Sequence, residues 1–234
     1  MLERLDYVKL APRRILDAGS GPPQRLLGKR YPGAEVVALD FSIGMLRAGR
    51  RRFEFFRKPL SICADLERVP LAAGALDLVW SNMALHWVSD PLAVLRELER
   101  VLAPEGLLMF STLGPDTLKE LKAAAGPARV HAFLDMHDIG DMLVGAGFSA
   151  PVIDMEMLTL RYADAARLVA DLRASGQANV RLDRKRGLSG RAFRSRVLAA
   201  QPSASFEVIY GHAWKGVARS ETEPKAIRVF KRMP

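Results

Sequence analysis

Residues 15–26 read ILDAGSGPPQRL: a short apolar run that carries an acid, then Gly19 and Gly21, then Pro22 and Pro23. A strand that feeds a glycine turn and a helix start aims backbone N–H groups at a ligand, and glycine lets that ligand approach the main chain closely. Dinucleotide sites ask for G-x-G-x-x-G, and counting from Gly19 the third glycine position holds Gln24, so that fingerprint fails. A nicotinamide oxidoreductase is disfavoured on the same ground. Asp17, two residues before the first glycine, suits a ligand with a positive amino-acid end better than it suits a pyrophosphate.

Outward from this turn, apolar runs bounded by turn residues alternate with helix-period segments, the signal of a parallel sheet with crossover helices. RRILDAG is a first strand and PQRLLGKRY a helix; EVVALD is a second strand, followed by the helix SIGMLRAGRRRFEFF with its apolar face at Ile43, Leu46 and Phe53. PLSICADL, ALDLVWSNMAL and GLLMFSTLG are the third, fourth and fifth strands. DPLAVLRELERVL is the helix between the last two, with Asp90 as N-cap and Pro91 in its first turn. After Gly114 the pattern changes: PDTLKELKAAAG and MHDIGDMLVGAG are helical, FSAPVIDMEMLTLRY is a strand and ADAARLVADLRASG a helix. RLDRKRGLSGRAFRSR reads as a basic loop and SFEVIYGHAWKG as an edge strand, so the two late strands form an antiparallel addition to the sheet; the tail ETEPKAIRVFKRMP is expected to be loosely held. One domain over residues 1–234 is expected.

Two further acids extend the constellation begun by Asp17. Asp40 ends the second strand, 19 positions after Gly21, where a carboxylate can accept both hydroxyls of a ribose. Asp65 follows the third strand, where an acid can accept from an adenine amino group while Leu66 presents a backbone N–H. Acids at three successive strand ends lie along the carboxyl edge of the sheet, where open α/β folds bind ligands, and together they favour a sulfonium cofactor. Taken singly, each is as well read as a turn or N-cap aspartate.

The stretches LDAGSG, EVVALDFSIGML, CADLERVPL and LDLVWSNMALHWVSDP resemble the class I S-adenosylmethionine-dependent methyltransferases. The combination of SNMALHW, FSTLGPDTLKEL and MHDIGDML is narrower and resembles the malonyl-[acyl-carrier protein] O-methyltransferases of biotin synthesis, up to about Arg191. The HW and MHDIGDML regions are similar also to a methyltransferase-like assembly factor of mitochondrial complex I. The resemblance implies a Rossmann-like α/β sheet of seven strands with an antiparallel last strand, and a helical cap insertion, placed within about 114–146 and 161–204. It implies S-adenosylmethionine as cofactor, bound by Asp17, Gly19, Gly21, Asp40, Phe41, Met45, Asp65, Leu66 and Asn82, and a malonyl group on acyl-carrier protein as methyl acceptor. Phe41 and Met45 would cover the adenine, although Met and Phe on a helix face are as often core. Asn82 would line the pocket near the transferred methyl, against ordinary turn chemistry.

Two departures from the family pattern stand out. The third glycine of D-x-G-x-G-x-G is Pro23, preceded by Pro22, which stiffens the turn and removes a donor where the cofactor carboxylate approaches. Nothing matches the N-terminal segment that in family members folds over the site and supplies a tyrosine; Tyr7 stands too close to the first strand for that role. They motivate the rival reading, a degenerate homologue that keeps the fold as a binding or assembly protein.

A malonyl carboxyl group is ionised at neutral pH, so methyl transfer to it requires alignment and exclusion of water rather than a general base, and no residue is assigned as a catalytic base. His86 is read as a packed histidine beside the fourth strand. His131, His137 and His212 lack metal-ligand spacing, and no metal is assigned. Cys63, the single cysteine, excludes an internal disulfide and is expected to be a buried small hydrophobe. The chain has no apolar run long enough to cross a bilayer and no secretory signal at its N-terminus, so it is expected to be soluble and cytoplasmic. Its net charge of +9 is spread along the sequence and aromatic residues are 7%, which disfavours nucleic acid. Residues 181–196, with seven basic residues and one acid, instead fit an acidic acyl-carrier protein or the phosphate of its phosphopantetheine, set against a solvated loop.

Overall fold

The computed structural model describes residues 1–50, 60–175, 190–199 and 201–216. Its centre is a seven-stranded sheet in the order β3-β2-β1-β4-β5-β7-β6. Strands β1 (Arg14–Ala18), β2 (Glu35–Asp40), β3 (Leu60–Cys63), β4 (Leu76–Asn82) and β5 (Leu102–Leu113) are mutually parallel. β7 (Ser203–Lys215) runs antiparallel to β5 on one side and to β6 (Phe148–Arg161) on the other.

The central strands are apolar at nearly every position because both faces are covered, as crossover helices require. Side chains alternate between two cores. Leu16, Val79, Leu108 and Phe110 face one, which receives Val94, Leu95 and Leu98 of α3 (Pro91–Val101) and Ile139 and Leu143 of α5 (Met136–Gly145). Ile15, Leu78, Trp80, Leu107 and Met109 face the other, closed by Leu27 of α1 (Leu26–Arg30) and Leu5 of a 3-10 helix at Leu2–Tyr7. Asp90 caps α3 as its sequence implies, its side chain accepting from the Ala93 N–H at 3.0 Å.

A third, smaller cluster joins Leu118 and Val130 to Leu168 and Leu172 of α6 (Ala165–Ala174) and Ala204 of β7, near α4 (Lys119–Ala125). The chain leaving β5 is tied to β7 there: the buried Glu207 carboxylate accepts from the Asp116 N–H at 2.7 Å, and Leu118 N–H donates to Ser205 O at 2.6 Å.

Several expectations are corrected. α1 starts at Leu26 rather than Pro23, the double proline lying in the bend and irregular stretch between Gly21 and the helix. In α2 (Ile43–Arg50) Leu46 is buried but Ile43 is exposed; Phe53 lies outside the described residues. Cys63 is exposed at the end of β3, its thiol donating to Phe41 O at 3.3 Å. The strand read as an edge is β7, which sits between two neighbours and is buried along most of its length; the edge is β6. The end of the basic segment is helical, as part of α7 (Arg191–Leu198), while 181–189 and the tail 221–234 lie outside the described residues.

Candidate active site

The order of strands reverses between β1 and β4, and the crevice at their carboxyl ends is where such sheets bind ligands. The glycine turn occupies it. Gly19 and Ser20 N–H groups both donate to Leu39 O, at 2.8 and 3.0 Å, which folds the turn back onto the end of β2. Gly19 has φ +71°, and a Cβ there would stand 2.3 Å from Cβ of Ala84, in the segment after β4. Gly21 has φ +58° with nothing within 4 Å of where a Cβ would be, so the main chain lies open to a ligand.

Asp40 ties this turn to β2. Its Oδ2 accepts from Gly21 N–H and its Oδ1 from Ser42 N–H, both at 2.8 Å, and the side chain is buried. Each carboxylate oxygen retains acceptor capacity beyond these bonds. Asp17, in β1, is partly buried beside it; burial first, and the Asp40 charge second, push its carboxyl up to about 7. Two acids flanking an open glycine turn in this state gain from a cationic ligand. The donor set fits the methionine end and ribose of S-adenosylmethionine.

Phe41 and Met45 are 81% and 49% exposed on the same rim, so they are available to cover a ring rather than spent in the core. Ser42 caps α2 between them, its Oγ accepting from Met45 N–H at 3.4 Å. Asp65 is exposed and closes a turn, Oδ1 accepting from Glu67 N–H at 3.0 Å, which is the turn role weighed against adenine recognition. The Leu66 side chain is core, reaching to 4.0 Å from the Cβ position of Gly19, and leaves only its backbone for a ligand. Asn82 ends β4, its Oδ1 accepting from Ser111 Oγ at 2.8 Å across the strand pair. The structure thus bonds Gly21 to Asp40 and Gly19 to Leu39 at the end of β2, with Asp17 beside Asp40 and the others arrayed along the strand ends.

Pro23, at the family's third glycine, is buried against α2: a Cβ on Gly49 would stand 2.3 Å from its Cδ. The ring is spent on helix packing, with Gly49 leaving the space for it. The pairing of Pro23 with a glycine on α2, 26 residues on, is the signal that sequence reading missed.

Past Ala84 a 3-10 turn at Leu85–Trp87 places His86 in a buried position. Burial first, then the neighbouring His131, lowers its pKa to about 4, so the ring is neutral. Thr112 Oγ1 lies 3.4 Å from its Nδ1, and His131 Nε2 lies 2.9 Å from its backbone oxygen. Phe133 packs edge-on to both imidazoles, at 5.8 and 5.1 Å between ring centres. These residues border a cavity of about 250 Å³ that also touches α3 and α5. His131, Phe133 and Thr112 were not singled out for binding, because they come together only through the roof formed by residues 130–134. No cluster of His, Cys, Asp or Glu able to hold a metal occurs among the described residues, and none of their helices is long and apolar enough to cross a membrane.

Residues 16–110 match the family model described as a methyltransferase domain. The malonyl-[acyl-carrier protein] O-methyltransferase of Gallionella capsiferriformans is 49% identical over 97% of this chain and 85% of its own length, and that of a Methylovorus species 51% identical over 94% and 81%. Among solved structures, phosphoethanolamine N-methyltransferase 2 of Haemonchus contortus, in complex with S-adenosyl-L-methionine, superposes with a TM-score of 0.56 at 20% identity, covering 92% of this chain and 51% of that one. At that identity the likeness is one of fold.

Proposed function

The chain belongs to the malonyl-[acyl-carrier protein] O-methyltransferases, within the S-adenosylmethionine-dependent methyltransferases, and on that premise we propose that it methylates the free carboxylate of a malonyl thioester held by acyl-carrier protein, a step of biotin synthesis. The observation that carries the substrate is identity near one half over almost the whole chain with relatives of that name. The open glycine turn flanked by Asp17 and Asp40 supports the cofactor.

S-adenosylmethionine, when bound, supplies a methyl group on a cationic sulfur, open to in-line attack. Asp17 and Asp40 would hold its amino and ribose ends, Gly19 and Gly21 would let it lie against the main chain, and Phe41, Met45, the Leu66 backbone and Asn82 would border it. The acceptor carboxylate is already ionised at neutral pH, so the protein need not remove a proton. A neutral, buried His86 is suited to donating a hydrogen bond rather than to gaining charge. What the chain contributes is alignment and a dry approach between opposite charges. The degenerate-homologue reading loses its main support where Pro23 turns out to pack on Gly49.

Exposed cations stand on elements that contact one another, Lys119 on α4, Arg167 on α6 and Arg191 on α7, and Arg129 stacks 4.7 Å over the Phe193 ring. These cations support docking of an acidic carrier protein. The test is intact-mass analysis of malonyl-acyl-carrier protein incubated with enzyme and S-adenosylmethionine. A gain of one methyl, lost on ester hydrolysis, is the expected result. Binding of S-adenosylhomocysteine without methyl gain refutes the acceptor; absence of binding refutes the enzyme.

A further inference from the structure

The cavity beside His86 is walled by apolar side chains, among them Leu85, Leu95, Phe133, Ile139 and Met142, and no Lys, Arg, Asp or Glu lines it. Its two imidazoles add little polarity. Nε2 of His86 and Nδ1 of His131 are buried with almost no accessible surface, while the other two ring nitrogens are turned to protein oxygens, Thr112 Oγ1 and the His86 backbone oxygen. An ionised carboxylate placed there would lose its hydration without gaining a counter-charge, so the charged end of the acceptor belongs elsewhere. What these walls reward is hydrocarbon.

Size narrows the occupant. A dry cavity of about 150 Å³ holds a six-carbon ring, so one of about 250 Å³ takes a straight chain of about six to eight carbons. Met142 is unbranched and adapts its side chain to such a tail. Position narrows it further. Leu85 directly follows Ala84, which stands against the glycine turn, and Thr112 directly follows Ser111, which bonds to Asn82. The cavity thus adjoins the strand ends where methyl donor and acceptor are to meet.

We propose that this cavity takes the unbranched alkyl tail of a saturated acyl thioester, so that an acyl-carrier protein loaded with such a chain occupies the acceptor's place and inhibits methyl transfer competitively. A tail without a terminal carboxylate offers nothing to the sulfonium methyl, and the complex is unproductive and reversible. A malonyl group, with a single methylene, draws almost nothing from the cavity. This rests on the methyltransferase reading and deepens it by assigning a class of inhibitor to the same crevice.

The test uses the full chain with saturating S-adenosylmethionine, S-malonyl-N-acetylcysteamine as acceptor, and the acetyl, butanoyl, hexanoyl, octanoyl and dodecanoyl thioesters of N-acetylcysteamine as inhibitors. Ki should fall roughly threefold per added methylene and level off at about eight carbons. Calorimetric titration of the same thioesters into protein saturated with S-adenosylhomocysteine should trace the same profile without turnover. Ala132→Phe, which fills the cavity, should weaken hexanoyl binding about tenfold and flatten the profile. Met142→Ala should move the levelling point up by about two carbons. S-adenosylhomocysteine affinity within twofold of wild type certifies each variant's fold; where a variant does not fold, the wild-type profile decides. Affinity independent of chain length, a gain that continues unbroken to dodecanoyl, or an unchanged profile in folded Ala132→Phe overturns the proposal while methylation of malonyl-acyl-carrier protein still stands. Binding by calorimetry without competition against the malonyl thioester overturns the inhibition. Absence of all methylation overturns the enzyme reading and the inhibition together, whatever the calorimetric profile.

Discussion

Asp17 makes cofactor binding a proton-linked event. With its carboxyl pushed up to about 7 in the unliganded protein, most molecules carry a proton there at pH 6, and the ammonium group of a ligand's amino-acid end recovers its full attraction only once that proton leaves. Each pH unit below 7 should therefore weaken S-adenosylhomocysteine binding by up to about tenfold, giving a loss of about 30-fold at pH 5.5 relative to the plateau. Calorimetric titration in buffers of different ionisation enthalpy should register close to one proton released per ligand at pH 6. The window stays at or below pH 7 because the ligand's own amino group titrates above it. Asp17→Asn should bind more weakly at neutral pH and show a flat profile. The sign for stability is opposite: between pH 3.8 and about 7 the native carboxyl holds a proton that the unfolded chain has lost, so the unliganded protein loses stability as pH rises through that window. Affinity independent of pH between 5.5 and 7, with no proton released, would refute the electrostatic account.

His86 has the reverse linkage: its native pKa near 4 lies below the unfolded 6.5, so denaturant midpoints should fall as pH drops from 6.5 to 4, and His86→Phe should flatten that fall. Gly19→Ala forces a Cβ onto Ala84 at a positive φ; a loss of about 1–3 kcal/mol by chemical denaturation is expected, together with loss of S-adenosylhomocysteine binding. Pro23→Gly should cost about 1 kcal/mol through a freer unfolded chain and lost packing on Gly49, with ligand affinity within twofold; a tenfold gain in affinity would show that the ring does obstruct the turn.

Local chemistry made much of this legible in sequence. EVVALD is β2 to the residue, Asp90 caps α3, and the acids at strand ends lie along the crevice rim because parallel strands deliver their carboxyl ends to one side. Contacts between distant segments were not legible. Pro23 satisfies every rule for a helix first turn, and only the approach of Gly49 shows where its ring goes. The alternation in SFEVIYGHAWKG reads as an edge strand, whereas β5 and β6 pair with it on both sides. The cavity pairs Thr112 with residues 131–134 and α5, which meet only after the sheet has formed.

The placement of β7 between β5 and β6 also sets the order in which the molecule can be completed on the ribosome. β5 emerges with one flank unpaired and waits through residues 114–202 for its neighbour, while β6 is synthesised with no partner to lie against. Until Ser203–Lys215 arrives, two long runs of amide and carbonyl groups stand unfilled, the state in which nascent chains are captured by chaperones or by one another. β7 is the keystone of the open side, and a stop codon anywhere before it forfeits two strands of the sheet rather than one.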